Sequence, residues 1–162
     1  MGSGKSAIGR RLAYLTGYRF TDSDSLITQA HGQTIADIFA NQGETYFRTE
    51  ETRTLNSLVG VYGIILSTGG GAIMNPENRK LIHKIGMVAW LDANPDLLFE
   101  RVSRNRKRPL LHTENPRATF DALLAERLPI YKSTANFRVD SSTLTHEQTA
   151  KAVLEAVRKL SR

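Results

Sequence analysis

The sequence predicts an α/β fold built on a parallel sheet, and three observations carry that expectation. The chain opens with Met1-Gly2-Ser3-Gly4-Lys5-Ser6, which runs straight into residues with helical spacing, Ile8, Leu12 and Leu15. Short apolar runs at 62–67 and 87–91 have the length and composition of buried parallel strands, and a helix signal follows each. The first of these runs ends in Thr68-Gly69-Gly70-Gly71, and glycines directly after a core strand point to backbone that a ligand approaches closely. Open α/β sheets hold their ligands at that end of the strands.

The opening residues match the back half of the phosphate-binding pattern G-x-x-x-x-G-K-[ST], whose first glycine would fall two residues before Met1. Gly2 and Gly4 let backbone N–H groups turn inward around phosphate oxygens. Lys5 adds a point charge toward the outer phosphates, and Ser6 offers a hydroxyl to a Mg²⁺ ion. The helix that begins near Lys5 directs its positive end at the same spot. A flexible Gly/Ser start is the alternative, and the helix that follows weighs against it.

Farther along, the helix of residues 5–16 is stopped by Gly17, and Tyr18 starts a short strand that runs into Thr21-Asp22-Ser23-Asp24. Alternation along an extended segment puts Asp22 and Asp24 on one side; the alternative is that one of them caps a helix over 25–30 while the other is solvated. A short helix over 34–39 closes before Gly43, and a longer one starting at Glu44 places Arg48 and Glu51 on one face, three residues apart. Such a pair either decorates the surface or holds the arginine ready to grip a carboxylate. Asn75-Pro76 opens a helix to about Lys84, and Pro95 opens another through Phe99 and Val102.

The segment 104–116 reads as a mobile loop, and Arg101, Arg104, Arg106, Lys107 and Arg108 form the one dense basic cluster. Phe120, Leu123, Leu124 and Leu128 mark a helix that carries Arg127 and is followed by Pro129-Ile130-Tyr131. A last strand spans 136–140. The final helix starts at the capping box Thr145–Gln148 and turns Ala150, Val153, Leu154, Val157 and Leu160 inward. None of the four histidines has ligand-like spacing, and all are expected at the surface.

A chain of 162 residues, 40% hydrophobic and 23% charged, fits one soluble domain. No apolar run approaches the ~20 residues of a membrane span, and the absence of cysteine excludes disulfides and thiolate metal sites. Cytoplasm is the default compartment. A net charge of +6 favours anionic partners, but no aromatics interleave the basic cluster as in a single-strand nucleic-acid surface, so a nucleotide lid fits it better than nucleic acid.

In this order and spacing the motifs closely resemble shikimate kinase over essentially the whole chain. The signals are Gly-Ser-Gly-Lys-Ser, Asp22 and Asp24, Ile35-Ala36-Asp37-Ile38-Phe39 leading to Phe47, Arg48 and Glu51, Ser67 through Gly71, Arg108-Pro109-Leu110-Leu111, and Arg127 with Pro129 and Tyr131. The resemblance implies a three-layer P-loop kinase fold with a five-stranded parallel sheet, order 2-3-1-4-5. It divides the chain into a core (1–22, 62–100 and 133–162), a substrate-binding subdomain (about 23–61) and a lid (about 104–116). It implies a monomer that transfers the γ-phosphoryl of ATP to the 3-hydroxyl of shikimate, in aromatic amino-acid biosynthesis. Gly2, Ser3, Gly4, Lys5, Ser6 and Ala7 would hold the phosphates, with Ser6 on Mg²⁺ and Asp22 reaching the metal through water. Asp24 would bind the accepting hydroxyl and take its proton, Arg48 and Arg127 would clamp the shikimate carboxylate, and Glu51 would hold the subdomain in position. Gly69, Gly70 and Gly71 would line the ring, Arg108 would spread transition-state charge, and Arg101 would lie near adenine.

Two departures from the pattern stand out. The family's opening strand and first loop glycine do not appear, so the natural protein is expected to start upstream or the sequence to begin at an internal Met, and these 162 residues alone are expected to fold poorly. Leu144 stands where some relatives carry a basic residue near adenine. The competing readings are another small-molecule kinase of the gluconate kinase type and a nucleotide-binding module without turnover; Arg48, Arg127 and the triple glycine favour shikimate.

Overall fold

A computed structural model describes residues 2–104 and 113–162. Among them, α1 (Lys5–Thr16) is entered from Gly4 and left at Gly17, both with left-handed backbones. The short strand β1 (Arg19–Asp22) ends where Asp22 becomes the N-cap of α2 (Ser23–His31), accepting hydrogen bonds from the backbone of Asp24 and Ser25. A capping box of Thr34 and Asp37 opens α3 (Ile35–Ser57), which is broken at Gly43, φ 85° and ψ 169°. The two helices expected on either side of Gly43 are therefore joined end to end.

Next come β2 (Ile64–Ser67), a 3₁₀ turn (Ala72–Met74) and α4 (Pro76–Ile85), capped by Asn75. The second half holds β3 (Ala89–Asp92), α5 (Pro95–Ser103), α6 (Pro116–Thr134), β4 (Phe137–Asp140) and α7 (His146–Leu160). The capping box of Thr145 and Gln148 at the start of α7 is present as the sequence predicts.

The strands form two parallel ribbons. β1 pairs with β2, Asp22 opposite Ser67, and β3 pairs with β4, Asp92 opposite Asp140. Among the described residues β2 and β3 are not paired with each other, and about 720 Å³ of unfilled space, open to solvent, lies beside Thr68, Ile73, Ile82, Leu91, Leu98 and Tyr131. Ile64, Ile65 and Leu66, expected to be buried, are half-buried.

Apolar packing is divided among three clusters. Ala93, Leu98, Val102 and Phe120 join α5 to α6; Leu55, Ile73, Leu81 and Ile82 join α3 to α4; Ile27, Ile38 and Phe47 join α2 to both halves of α3. Burying each of the larger of these side chains contributes roughly 1.5–3 kcal/mol.

Four expectations change. α2 starts two residues early because Asp22 caps it. α6 runs on through Pro129 instead of stopping there: the proline removes one N–H, but Ile130 and Tyr131 pack against the second cluster and hold the final turn. Leu160, expected inward, is 53% exposed at the end of α7. His31, expected at the surface, is mostly covered, its Nε2 lying 3.0 Å from Glu50 Oε2 and its ring edge-on to Tyr46. Of the expected lid, residues 105–112, Arg108 among them, lie outside the described residues.

Candidate active site

Gly2 and Gly4 both have φ near +75°, at 74° and 76°. A Cβ on Gly2 would stand 2.7 Å from the Leu98 carbonyl oxygen and 2.8 Å from Val102 Cγ2, so only glycine passes under α5. A Cβ on Gly4 would meet the His146 imidazole at 3.1 Å. Ser3, buried, and Lys5 border the cavity together with Thr68, Gly69 and Gly70. Ser6 Oγ donates to Asp22 Oδ2 at 3.1 Å. The other oxygen of Asp22 accepts from Asp24 N at 3.1 Å and Ser25 N at 3.2 Å, so one carboxylate both caps α2 and faces the start of α1. Ala7 is exposed in the first turn of α1, and Arg101 sits beside Val102 in the last turn of α5.

Asp22 and Asp24 do meet the strand end, but not by alternation along an extended segment. The strand stops at Asp22, and Asp24 belongs to the first turn of α2. A Cβ on Gly69 would stand 3.0 Å from Asp24 Oδ1 and 3.3 Å from Glu51 Oε1, so both carboxylates border the same bare backbone. Arg48 Nη1 donates to Glu51 Oε2 at 3.0 Å, and its Nη2 and Nε donate to Glu44 Oε1 at 3.0 and 3.2 Å. The pairing with Glu44 was not read from the sequence, although a spacing of four signals it. The guanidinium lies against Gly71, where a Cβ would be 3.0 Å from both Nη atoms.

Glu51 is 1% exposed, so burial drives its carboxyl above the ordinary value of 4.5. Arg48 pulls it back, Asp24 pushes it up, and Arg127 adds a smaller downward pull. Burial opposes the charge on Arg48, but Glu51 and Glu44 outweigh it and leave that guanidinium more basic than usual. Arg127 is itself buried, and its Nε has no hydrogen-bond partner among the described residues. Asp24, Arg48 and Arg127 thus all act on one buried carboxylate behind Gly69.

Two sets of supporting contacts went unread in the sequence. Tyr131 Oη donates to the Gly70 carbonyl at 2.7 Å, and its ring stacks on Trp90 with centroids 6.3 Å apart. Behind the loop, Thr52 Oγ1 donates to Asn78 Oδ1 at 2.7 Å and Asn78 Nδ2 donates to the Ala72 carbonyl at 3.0 Å, with Asn78 fully buried. The available signals were weak: Tyr131 stands four residues after Arg127, and Thr52 directly follows Glu51. Among the described residues no group of three or more His, Cys, Asp or Glu could hold a metal ion, and no helix is long and apolar enough to cross a membrane.

The family profile described as "SKI: Shikimate kinase" matches residues 1–158. The shikimate kinase of Actinobacillus pleuropneumoniae serotype 5b (strain L20) is 46% identical over 153 residues, covering 94% of this chain and 86% of that protein. The shikimate kinase of Rhizobium meliloti (strain 1021) is 44% identical over 157 residues, covering 97% and 81%. Among solved structures, shikimate kinase from Acinetobacter baumannii in complex with shikimate has a TM-score of 0.93 at 38% identity, covering 98% of this chain and 89% of that one. Shikimate kinase from Aquifex aeolicus has a TM-score of 0.87 at 30% identity, covering 99% and 94%.

Proposed function

Because the chain belongs to the shikimate kinase family, we propose that it transfers the γ-phosphoryl group of ATP to the 3-hydroxyl of shikimate at the carboxyl ends of β1 and β2. The observation that carries this reading is the meeting of Asp24, the Glu51-held Arg48 and the bare Gly69–Gly71 backbone beside a cavity that Lys5 borders. Phosphoryl transfer has a loose transition state, so positioning and charge neutralisation carry most of the acceleration. Gly2 to Ala7 and Lys5 hold the ATP phosphates. Arg48 and Arg127 grip the substrate carboxylate, a planar group suited to guanidinium forks.

In this reading Asp24 accepts a hydrogen bond from the 3-hydroxyl and takes its proton as the oxygen bonds to the γ-phosphorus, while the bond to the β–γ bridging oxygen breaks and ADP leaves. Arg108 and Arg101 serve the phosphates and the adenine side. Mg²⁺ neutralises charge on the transferring phosphates when bound. The Ser6 hydroxyl and the Asp22 carboxylate, already 3.1 Å apart, are hard oxygen donors of the kind this ion prefers, Asp22 through a water.

The same reading makes the two ribbons the flanks of one five-stranded sheet, with the family's first strand between β2 and β3, so that in the family's count β1, β2, β3 and β4 are strands 2, 3, 4 and 5 and the order is 2-3-1-4-5. Residues 23–61 then form the substrate-binding subdomain and 104–116 the lid of a cytoplasmic monomer. A coupled assay of ADP release with shikimate, gluconate and no acceptor tests the assignment. Turnover with shikimate alone is expected; equal or faster turnover with gluconate overturns it.

A further inference from the structure

We infer that Tyr131 is a positioning residue for the carboxylate clamp, its hydroxyl locking the triple-glycine loop to the helix that carries Arg127. The bond from Tyr131 Oη to the Gly70 carbonyl, 2.7 Å long, joins residues 61 apart in sequence. Arg127 and Tyr131 are four residues apart on α6 and so share a helical face. On the other side of that bond, Gly71 is the seat of Arg48, whose two Nη atoms would stand 3.0 Å from any Cβ placed there.

One arm of the clamp therefore rests on the loop and the other on α6, and the tyrosine hydroxyl joins the two supports. Consecutive glycines have wide conformational freedom, so a loop of this kind keeps its shape only where side chains from elsewhere hold it. Asn78 holds the far end through the Ala72 carbonyl; Tyr131 holds the middle. The tyrosine ring also stacks on Trp90, 17° from parallel, a contact that does not depend on the hydroxyl. Two guanidinium forks grip a carboxylate well only at a matched separation, and a misplacement on the order of 1 Å costs ~10²-fold in a positioned reaction.

This inference rests on the shikimate reading, and the test separates the two. In Tyr131→Phe, which keeps the ring and the stack, KM for shikimate is expected to rise about tenfold, the effect of losing one partly buried hydrogen bond that orders a site. KM for ATP should stay within about twofold, and melting within a few degrees of the parent. Shikimate methyl ester has no carboxylate for the clamp, so parent and variant should use it equally. Trp90→Phe, which keeps the hydroxyl, should leave KM for shikimate near the parent value.

An unchanged KM for shikimate in Tyr131→Phe, an equal rise for acid and ester, or a matching rise in Trp90→Phe would each overturn the inference. Absence of shikimate-dependent turnover in the parent chain would instead remove the reading beneath it.

Discussion

The two parallel ribbons end alike but face different neighbours. In the first, β1 and β2 stop at Asp22 and Ser67; in the second, β3 and β4 stop at Asp92 and Asp140. Each ribbon therefore carries a carboxylate at the carboxyl end of its strands. In the second ribbon, Asp92 accepts from the Ala93 backbone at 2.9 Å and from Arg138 Nε at 2.7 Å, and Asp140 accepts from the Ser142 backbone and hydroxyl at 2.9 and 2.6 Å. Those acceptors are occupied by neighbours that hold the chain together.

In the first ribbon, one oxygen of Asp22 also caps a helix, but the other faces Ser6 at the start of α1, and Asp24 borders the bare Gly69 backbone. A strand end supplies position; what stands across from it decides between structure and chemistry.

The largest test of that contrast is Asp24→Asn, for which turnover should fall about 10³-fold, within the range for loss of a general base, while nucleotide affinity stays near the parent value. Loss of ATP binding in a fluorescence titration would move Asp24 out of the acceptor site. The matching change in the other ribbon, Asp92→Asn, should leave kcat within about twofold and reduce stability by about 1 kcal/mol, because it weakens the hold of half-exposed Arg138. Denaturant melts beside rate measurements check both numbers, and a large rate loss in Asp92→Asn would erase the contrast.

The smallest expected effect is on pH dependence, and the two ribbons should bend it in opposite directions. Glu51, behind the first ribbon, titrates above its ordinary 4.5, so between the two values the native protein keeps a proton that the unfolded chain has released. Its contribution is complete below 4.5 and is lost as pH rises through the folded value. Asp140, in the second ribbon, is lowered from 3.8 by its bonds from Ser142, so its contribution is present above 3.8 and fades as pH falls through the folded value. Glu51→Gln should flatten the decline on the alkaline side of 4.5 in melts taken across pH, and an unchanged slope would remove Glu51 as its source.

Much of this arrangement was legible in the residues. Gly4 and Gly17 bracket α1, Pro76 and Pro95 open helices, and Arg48 and Glu51 pair because three residues along a helix make neighbours. These are local rules, and local spacing is visible in one dimension. The fit of each glycine to its own partner was not visible. Gly69 lies over Asp24 and Glu51, and Gly71 under Arg48, because α2, α3 and the loop after β2 come together across dozens of residues.

The bond from Tyr131 to Gly70 belongs to the same long-range class, as does the continuation of α6 through Pro129, where packing overrides local preference. Of the two readings of Asp22 and Asp24, the extended stretch does not hold and the alternative, an aspartate capping the next helix, does at Asp22. A helix cap, not strand alternation, brings them to the strand end.

The crowding of Arg48 over Gly71 also limits what an inhibitor of this enzyme could look like. With both Nη atoms 3.0 Å from where a single methyl group would begin, the space beneath the guanidinium is already full. A blocking compound would gain by presenting a flat, two-oxygen anion edge-on to the fork and by keeping all its bulk on the open side. Escape from such a compound by enlarging residue 71 would displace the arginine itself.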